Sequence, residues 1–337
     1  MRTFARDSIA SLLLQLGLTN PKIIGRHSLS IVTFHRVLTD QQLADYPMPE
    51  LALNQNEFGR FLDIFNEHYR CGTLSESLEQ FRSHDTHTRP LLAITFDDGQ
   101  LDNYENARHQ LEARGLRATF FPTISGATTG RALWHDEAAF AIKAIQEHSP
   151  RDAADFEKSL GVETNGIKAS PSLIVSALKQ SSPETRTDFI AQLHQCLGDD
   201  GRPEWDGMMN ADQLRLLARN GHEIGSHSYS HPILNQCTHR ELQREVVESK
   251  AILESIAGTT VTAFCYPNGD YNTQVKDVVR DAGYEAAVTT RFGRNGKKRN
   301  ALELRRFDIQ RSTSMDRFGA FSRARLALRL SGLQPGL

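Results

Sequence analysis

The amino-acid sequence predicts an α/β fold in which parallel strands alternate with helices. Apolar runs of strand length recur along the chain, and most are followed by a segment of helical periodicity. The strand-helix-strand unit is plainest between residues 91 and 123, where Gly115 is well placed to end the helix. No Gly-x-Gly-x-x-Gly follows a strand and no Gly-x-x-x-x-Gly-Lys-Ser/Thr occurs, which weakens nucleotide-binding versions of this class. An open doubly wound sheet and a closed (β/α) barrel both fit.

Size and composition narrow the function classes. The 337 residues suffice for one large domain or two ordinary ones, and 39% hydrophobic with 24% charged residues is typical of a soluble globular protein. A net charge of -2 argues against nucleic-acid binding driven by bulk electrostatics. The cysteines have no Cys-x-x-Cys spacing, so they predict neither a disulfide framework nor a cysteine metal site. They are Cys71, Cys196, Cys237 and Cys265.

The first elements are a helix over residues 5–17 and a strand over residues 29–34. Asp7 and Gln15 interrupt the apolar run of the helix and no clean cleavage site follows, which favours an amphipathic helix over a signal peptide. We expect its apolar face to pack on the body, with contact to a membrane surface as the alternative. That face comprises Ile9, Leu12, Leu13 and Leu16. No apolar run is long enough to span a bilayer, and the predicted location is cytoplasmic.

The remaining elements are predicted from hydrophobic periodicity and from residues that typically start or end helices and strands. Asn210 with Gln213 three residues later forms a capping-box pattern for one helix. Further strands are predicted at residues 91–96, 118–123, 222–227, 261–266, 284–290 and 304–310. Further helices are predicted at residues 101–114, 211–220, 238–257 and 273–282, and around Phe58, Phe61, Leu62, Ile64 and Phe65.

Residues from about 135 to 208 interrupt the alternation of strands and helices, because they resemble helices joined by Ser-, Pro- and Gly-containing turns. We interpret them as an insertion on one strand-helix loop that shapes a substrate groove; covering the sheet is the simpler alternative. The predicted organisation is an N-terminal helical extension (1–28), a catalytic α/β unit (29–312) and a C-terminal amphipathic tail (313–337).

Polar residues collect where the predicted strands end. They are His35, the pair Asp97–Asp98, the stretch 227–231 and the turn Pro267-Asn268-Gly269. In a parallel barrel the carboxyl ends of the strands meet at one rim, and chemistry concentrates there. Residues far apart in sequence are therefore predicted to share one site.

The residue types at this rim suggest a metal site. Two adjacent buried carboxylates are costly unless a cation or a shared proton relieves them, although a solvated Asp-Asp-Gly turn is the simpler alternative. His227 and His231 lie four apart, so both imidazoles can face one point on a helical turn or in a tight loop. This spacing alone is weak evidence. Two histidines and one carboxylate, with an open position for water, are a common catalytic zinc set.

Two motifs give a specific resemblance. Thr-Phe-Asp-Asp-Gly at residues 95–99 and His-Ser-Tyr-Ser-His at residues 227–231 resemble the first two motifs of the NodB-homology polysaccharide deacetylases, carbohydrate esterase family 4. The resemblance extends from about residue 29 to about residue 310. It implies an irregular (β/α)7 barrel with a helical insertion and a metal-dependent N-deacetylase activity.

The resemblance also implies roles for individual residues. Asp98, His227 and His231 correspond to the metal ligands, and Asp97 corresponds to the general base. The metal implied is a divalent cation, with Zn²⁺ first and Co²⁺, Ni²⁺ or Fe²⁺ as alternatives. The backbone N–H of Asn268 is placed to stabilise the oxyanion.

The sequence departs from the family pattern at the third motif. The family usually has Arg-x-Pro-Tyr, and this chain has Cys-Tyr-Pro-Asn at residues 265–268, so the arginine that orients the catalytic Asp is missing. Arg305 or Arg306 on the last strand could replace it. Tyr229 and Tyr266 could flank the metal and stack on a sugar, with core packing equally open.

The proton donor is the second departure. The family's acid histidine lies in a Leu-x-His motif near the C-terminus, and no histidine follows His239 here. The stretch Thr33-Phe34-His35-Arg36-Val37 resembles the N-terminal stretch that supplies the acid in the biofilm-polysaccharide deacetylases. We therefore predict that His35 protonates the leaving amine, with a core or capping role as the alternative.

Two other stretches have simpler interpretations. Residues 134–137, Trp-His-Asp-Glu, could line a groove, although a helix start is simpler. The C-terminal tail is predicted to be a helix packed on the barrel rather than a membrane-surface anchor. Its basic residues are Arg317, Arg323, Arg325 and Arg329, and its apolar residues are Phe318, Phe321, Leu326 and Leu330.

The predicted function is removal of N-acetyl groups from an amino-sugar glycan, such as an exopolysaccharide, or from its lipid- or nucleotide-linked precursor. Two alternatives stay open: hydrolysis of a non-sugar amide of the cyclic ureide or imide type, and glycan binding without catalysis. No nucleic-acid partner is expected, and contact with a membrane surface through the terminal helices is an open possibility.

Overall fold

The computed structural model describes residues 2–83, 89–162 and 168–333, and parallel strands organise that part of the chain. The strands are β1 Leu29–Phe34, β2 Arg36–Leu38, β3 Ala52–Asn54, β4 Arg70–Gly72, β5 Leu91–Phe96, β6 Thr119–Phe120, β7 Glu223–Ile224, β8 Ala263–Cys265, β9 Ala286–Phe292 and β10 Leu304–Asp308.

The helices cover the outside of these strands and form the insertion. Their bounds are α1 Arg2–Gln15, α2 Pro21–Ile24, α3 Asp40–Asp45, α4 Gln55–His68, α5 Leu74–Arg82, α6 Arg108–Glu112, α7 Ile124–Thr129, α8 Trp134–His148, α9 Pro150–Ser159, α10 Pro171–Gln180, α11 Pro183–Leu197, α12 Ala211–Arg219, α13 His239–Leu242, α14 Ser249–Ala257, α15 Thr273–Asp281, α16 Arg311–Ser314 and α17 Arg323–Ser331. Wider π-helical turns, Asn103–Ala107 and Gln243–Glu248, lead into α6 and α14.

The main sheet has the strand order β7-β6-β5-β1-β10-β9-β8, and every pair in it is parallel. Strand β4 pairs with the first half of β5. Ser226 joins the two ends of the sheet, since its N–H donates to the Ala263 carbonyl (2.9 Å) and its carbonyl accepts from the Cys265 N–H (2.8 Å). The ring is the irregular seven-stranded barrel that the sequence predicts.

Alternation along the strands divides the core into two layers. Leu29 and Ile31 of β1 belong to an apolar cluster with residues of β5, β8, β9 and β10, as expected for side chains that fill the barrel. Val32 and Phe34 belong instead to the larger cluster that includes the helical residues Phe58 and Phe61. Full burial of such a side chain stabilises the fold by roughly 1.5–3 kcal/mol, so these two layers carry much of the stability.

Three strands are shorter than the sequence predicts. The predicted strands 118–123, 222–227 and 261–266 correspond to β6, β7 and β8, which have two or three residues each. The backbone hydrogen bonds continue irregularly toward the rim; for example, the Gly225 N–H donates to the Phe120 carbonyl (2.8 Å). A Cβ at Gly225 would lie 2.3 Å from the Phe121 ring, so only glycine allows the backbone to approach that ring so closely.

The insertion is helical, as predicted. Helices α8–α11 pack around their own apolar cluster, and the residues described there contain no strand. This apolar cluster includes Ile142, Ile145, Ile174, Leu178 and Leu193. The insertion follows α7, which begins four residues after β6, so it rises from the same end of the barrel as the predicted site.

The C-terminal helix α17 packs on the barrel as the sequence predicts, since Leu326 and Leu330 are buried in the main apolar cluster. Ala10 and Leu13 of α1 contact Ala324 and Leu328 of α17. The expectation that the rest of the apolar face of α1 packs on the body is wrong. Ile9, Leu12 and Leu16 are 52%, 54% and 62% exposed. Within the described residues, no helix is both long enough and apolar enough to cross a bilayer.

Candidate metal and catalytic site

The Asp97–Asp98 pair follows the last residue of β5, where the backbone turns sharply. The Asp97 N–H still donates to the Phe34 carbonyl (3.1 Å), as in a continued ladder. The left-handed conformation then begins at Asp98 (φ 76°) and continues at Gly99 (φ 81°). The sequence predicts the turn at Gly99 alone, and the structure begins it one residue earlier. A non-glycine residue in this region is strained, and here the strain brings two adjacent carboxylates to one site.

Asp98, His227 and His231 converge as predicted. Nε2 of His227 lies 3.3 Å from Asp98 Oδ1, and Nε2 of His231 lies 3.6 Å from the same oxygen. One ligand atom from each residue lies within 4.8 Å of the others, and all three residues are buried. Burial alone would raise the pKa of Asp98, but the neighbouring imidazoles of His227 and His231 hold that pKa well below its usual range.

A tight loop, rather than a helical turn, brings the two histidines together. Ser228 and His231 both have left-handed backbones (φ 68° and 58°), and Ser228 Oγ accepts the His231 N–H at 3.0 Å. Glu245 Oε2 accepts the N–H groups of Tyr229 and Ser230, each at 2.9 Å. The loop is therefore fixed by specific hydrogen bonds, and the two imidazole centroids lie 4.7 Å apart.

A second arrangement of possible ligands shares His227. Asp97, His227 and Cys265 also lie close enough to hold one ion. Burial raises the pKa of the Cys265 thiol, however, and a neutral thiol is a poor ligand. His227 Nδ1 lies 2.8 Å from the Cys265 carbonyl oxygen, which fixes Nδ1 as the donor and leaves Nε2 toward Asp98. The set of Asp98, His227 and His231 therefore suits Zn²⁺ better.

Arg306 holds Asp97 in a bidentate ion pair. Its Nη1 and Nη2 donate to Asp97 Oδ1 and Oδ2, each at 2.7 Å. Burial alone would raise the pKa of Asp97, but the charge and hydrogen bonds of Arg306 keep that pKa below its ordinary value. Arg305 is exposed, and its backbone N–H donates to Asn295. Of the two arginines that the sequence leaves open, Arg306 is thus the one that contacts the carboxylate.

His35 lies on the other side of Asp97. Its Nε2 is 4.0 Å from Asp97 Oδ2, and 22% of its side chain is exposed. The Asn103 side-chain amide donates to the His35 carbonyl (2.8 Å) and fixes the backbone there. This histidine therefore borders the site with one face open to solvent.

The remaining predicted residues have different surroundings. Asn268 has a left-handed backbone (φ 56°), and its Nδ2 is buried without a hydrogen-bond partner in the described part of the chain. The prediction that Tyr266 stacks on a sugar is wrong, because its fully buried ring stacks on Tyr271 and its hydroxyl donates to the Leu302 carbonyl (3.1 Å). Tyr229 is half-buried beneath the Arg244 guanidinium, 4.2 Å from its ring centroid, and its substrate role stays a prediction.

The sequence interpretation missed His135. Residues 134–137 do begin helix α8, as the simpler interpretation holds, but that start lies at the site. His135 Nε2 is 4.0 Å from Asp98 Oδ2, and its ring centroid is 5.2 Å from that of His231. Burial lowers the pKa of this imidazole. A polar side chain in the first turn of a helix that starts near the rim was the available signal.

A buried ion network joins the barrel to the insertion behind the site. Arg36, which is 1% exposed, lies 2.6 Å from Asp102 Oδ2, 2.7 Å from Asp206 Oδ1 and 4.0 Å from Asp136 Oδ2. Arg36 follows His35 in the sequence, and Asp136 follows His135. The same network therefore fixes the backbone next to both histidines.

A family model described as polysaccharide deacetylase matches residues 84–287, more than half of the chain. The chain belongs to the polysaccharide deacetylase family. The chain is 28% identical over 113 residues to YxkH of Bacillus subtilis, a match that covers 34% of the chain and 40% of YxkH. The chain thus aligns with less than half the length of that curated relative.

Solved structures match this fold over most of its length. The Streptococcus pyogenes deacetylase PplD in complex with acetate superposes with a TM-score of 0.56 at 17% identity, covering 85% of this chain and 94% of PplD. IcaB from Ammonifex degensii gives a TM-score of 0.55 at 17% identity, with the same two coverages of 85% and 94%. At such low identities these matches support the barrel fold.

Proposed function

We propose that this member of the polysaccharide deacetylase family is a metal-dependent hydrolase that removes N-acetyl groups from an amino-sugar glycan, such as an exopolysaccharide, or from its lipid- or nucleotide-linked precursor. The observation that carries the proposal is the division of the adjacent carboxylates. Asp98 faces two imidazoles, whereas Asp97 is bound by Arg306. A metal-ligand set beside a separately held base is what amide hydrolysis by activated water requires.

The donor set of Asp98, His227 and His231 fits Zn²⁺, with Co²⁺, Ni²⁺ or Fe²⁺ as alternatives. A bound cation would supply a Lewis acid that polarises a carbonyl and acidifies water to a pKa of about 7. Three protein ligands leave further coordination positions open.

Asp97 is the proposed general base. Its lowered pKa keeps it ionised near neutral pH, and Arg306 fixes the direction of its oxygens. In this proposal Asp97 accepts a proton from the water that attacks the acetamide carbon. Proton transfer by a positioned side chain typically contributes 10²–10⁴-fold to the rate, on the order of several kcal/mol.

His35 is the proposed acid, and Asn268 is the proposed oxyanion donor. His35 borders Asp97 with part of its ring open to solvent, so it can give a proton to the leaving amine. The backbone N–H of Asn268 belongs to the turn Pro267–Gly269 after β8 and would donate to the developing oxyanion. When the C–N bond breaks, the products are acetate and the free amino sugar.

Acetate release from N-acetylglucosamine oligomers tests the proposal. Protein stripped with a chelator is expected to release little acetate and to regain activity on addition of Zn²⁺ or Co²⁺, with D98N as the inactive control. Turnover of a cyclic ureide or imide, with none of the acetylated oligomers, would contradict the sugar deacetylase proposal. Equal turnover with and without chelator would contradict its metal dependence.

We also propose that the N-terminal helix contacts an anionic membrane surface. The side chains of Ile9 and Leu12 on α1 and of Leu16 directly after it are exposed, and no acidic residue occurs between Asp7 and Asp40. Lys22 and Arg26 nearby are exposed cations. Apolar residues flanked by positive charge suit the surface of an anionic bilayer.

Vesicle sedimentation tests this contact. The protein is expected to bind phosphatidylglycerol vesicles more tightly than phosphatidylcholine vesicles, and the triple variant I9S/L12S/L16S is expected to lose that binding. Acetate release from soluble oligomers should be unchanged in the triple variant, which controls for folding. Vesicle binding that survives the triple substitution would contradict the proposal. The cytoplasmic location stays a prediction.

A further inference from the structure

The second oxygen of the metal-ligand carboxylate faces the insertion. Oδ1 of Asp98 is shared by His227 and His231, and Oδ2 lies toward α8, with Nε2 of His135 4.0 Å away. The Asp98 side chain is 7% exposed and the His135 side chain is 9% exposed. A buried carboxylate oxygen that is not used by a metal needs a hydrogen-bond donor.

The surroundings of His135 make Nε2 that donor. Nε2 has a second carboxylate oxygen nearby, since Asp136 Oδ2 is 3.8 Å away. Asp136 is itself held by Gln100 Nε2 (2.6 Å) and by the Tyr46 hydroxyl (3.1 Å). An imidazole nitrogen that faces two acceptors carries the hydrogen in the neutral ring. His135 Nδ1 is buried without a hydrogen-bond partner among the described residues, so the donor function falls on Nε2.

We propose that His135 is a positioning residue that donates a hydrogen bond from Nε2 to Oδ2 of Asp98 when the protein holds its metal. This proposal rests on the metal site proposed above. The 4.0 Å separation exceeds the roughly 2.7–3.2 Å of an N–H···O bond, so a closure of about 1 Å or one bridging water completes it. Held in this way, Asp98 keeps Oδ1 directed toward the two ligand histidines.

Arg186 contacts Trp134, the residue before His135, and links it to other helices of the insertion. Its Nε and Nη2 donate to the carbonyls of Leu178 (3.2 Å) and Ser181 (3.3 Å), which lie at the end of α10. Its guanidinium lies 4.6 Å from the centroid of the Trp134 ring. Nη2 also donates to Gln236 Oε1 (3.4 Å), in the segment that follows His231.

Arg186 therefore ties the far helices of the insertion to Trp134 and to the segment that follows His231. The insertion, interpreted from the sequence as the wall of a substrate groove, thereby supplies a residue to the metal site. Partners that hold a metal ligand typically change metal affinity by roughly 10–100-fold when they are lost, so the effect is measurable on binding alone.

Zn²⁺ affinity, measured by competition with a chromophoric chelator, tests the proposal without reference to turnover. H135F removes the donor but keeps a ring, and it is expected to weaken Zn²⁺ binding by roughly 10–100-fold. H135Q can place an amide N–H near the position of Nε2, so its affinity is expected to stay within about threefold of the wild-type value. H135N places its amide near Nδ1 instead and should resemble H135F.

Controls separate this inference from folding and from the proposed function. H222F removes another buried histidine, whose Nδ1 accepts the Ala118 N–H (3.2 Å), and should leave Zn²⁺ affinity unchanged. If H135F does not fold, the comparison of H135Q with H135N decides. Wild-type affinity in H135F or H135N, or an H135Q affinity as weak as that of H135N, would overturn the role of His135. Weak binding shared by the wild type and D98N would instead overturn the metal site itself.

Discussion

Asp97 and Asp98 are adjacent and almost equally buried, but different regions of the molecule hold them. The barrel holds Asp97, since Arg306 from β10 binds both of its oxygens and His35 follows β1. The loop after β7 and the insertion surround Asp98, through His227, His231 and His135.

In the proposed mechanism, this difference gives two like residues two functions. A bidentate arginine pair directs both oxygens of Asp97 and keeps that carboxylate available as a base. Asp98 is bound by no arginine among the described ion pairs, so its negative charge is available to a cation. The barrel therefore supplies the partners of Asp97, whereas the loop after β7 and the insertion supply the partners of Asp98.

Substitution of the carboxylates themselves should separate the two functions most clearly. D97N is expected to lower kcat for acetate release by about 10³–10⁴-fold and to keep Zn²⁺ affinity within about threefold, because the base is lost and the ligands remain. D98N should lose both activity and Zn²⁺ binding. Chelator competition and acetate assays on the same preparations check this. Loss of Zn²⁺ binding in D97N would contradict the division.

Arg306 gives the next largest effect. R306Q leaves Asp97 buried without its ion pair, and breaking such a pair typically costs about 3–5 kcal/mol. We expect kcat to fall by roughly 10²-fold with little change in KM, because base orientation is lost while the substrate surface remains. Urea unfolding measures the stability term separately. R305Q is the matched control, and its kinetics should equal those of the wild type. Equal impairment of R305Q and R306Q would contradict a specific role for the ion pair between Arg306 and Asp97.

The loss of kcat on replacing His35 should depend on how strongly the leaving amine needs protonation. H35Q is expected to lower kcat on N-acetylglucosamine oligomers by about 10²-fold, since a basic amine must be protonated as it leaves. The loss should be smaller on an activated anilide, whose amine leaves more easily. Rates on both substrates check this, and the same loss on each would contradict an acid role.

Arg186 should give the smallest effect, because it acts on the insertion rather than on the site. R186M keeps much of the side-chain length but loses the bonds to α10 and to Gln236. We expect Zn²⁺ affinity to fall by roughly threefold to tenfold, below the effect of H135F. R215Q on the half-exposed side of α12 is the matched control. A loss larger than that of H135F would show that Arg186 acts by another route.

The parts of the site that lie on the barrel could be predicted from the sequence. Strand ends and two motifs locate Asp97, Asp98, His227 and His231, because parallel strands carry their last residues to one rim. The choice between Arg305 and Arg306 could not be made, since adjacent strand residues face opposite sides and the phase of β10 is not visible in a short, mixed strand. The burial of Tyr266 depends in the same way on its neighbours across the sheet.

The contribution of the insertion could not be predicted. His135 stands at the start of a helix, and helical periodicity describes how α8 packs without showing which end meets the rim. The contacts of Arg186 with Trp134 and Gln236 hold His135 at the rim, and Arg186 and Gln236 are far from His135 in sequence. The exposure of Ile9, Leu12 and Leu16 has a similar cause, since α17 covers only the Ala10 and Leu13 side of α1.

A crystal structure of the zinc-loaded protein, with anomalous scattering recorded at the zinc edge, tests the division of the carboxylates most directly. We expect one strong peak at about 2.0–2.2 Å from Asp98 Oδ1 and from Nε2 of both His227 and His231, with Asp97 still paired to Arg306. A peak bound by Asp97, His227 and Cys265 would contradict this expectation, because the base and the metal ligand would then have exchanged functions.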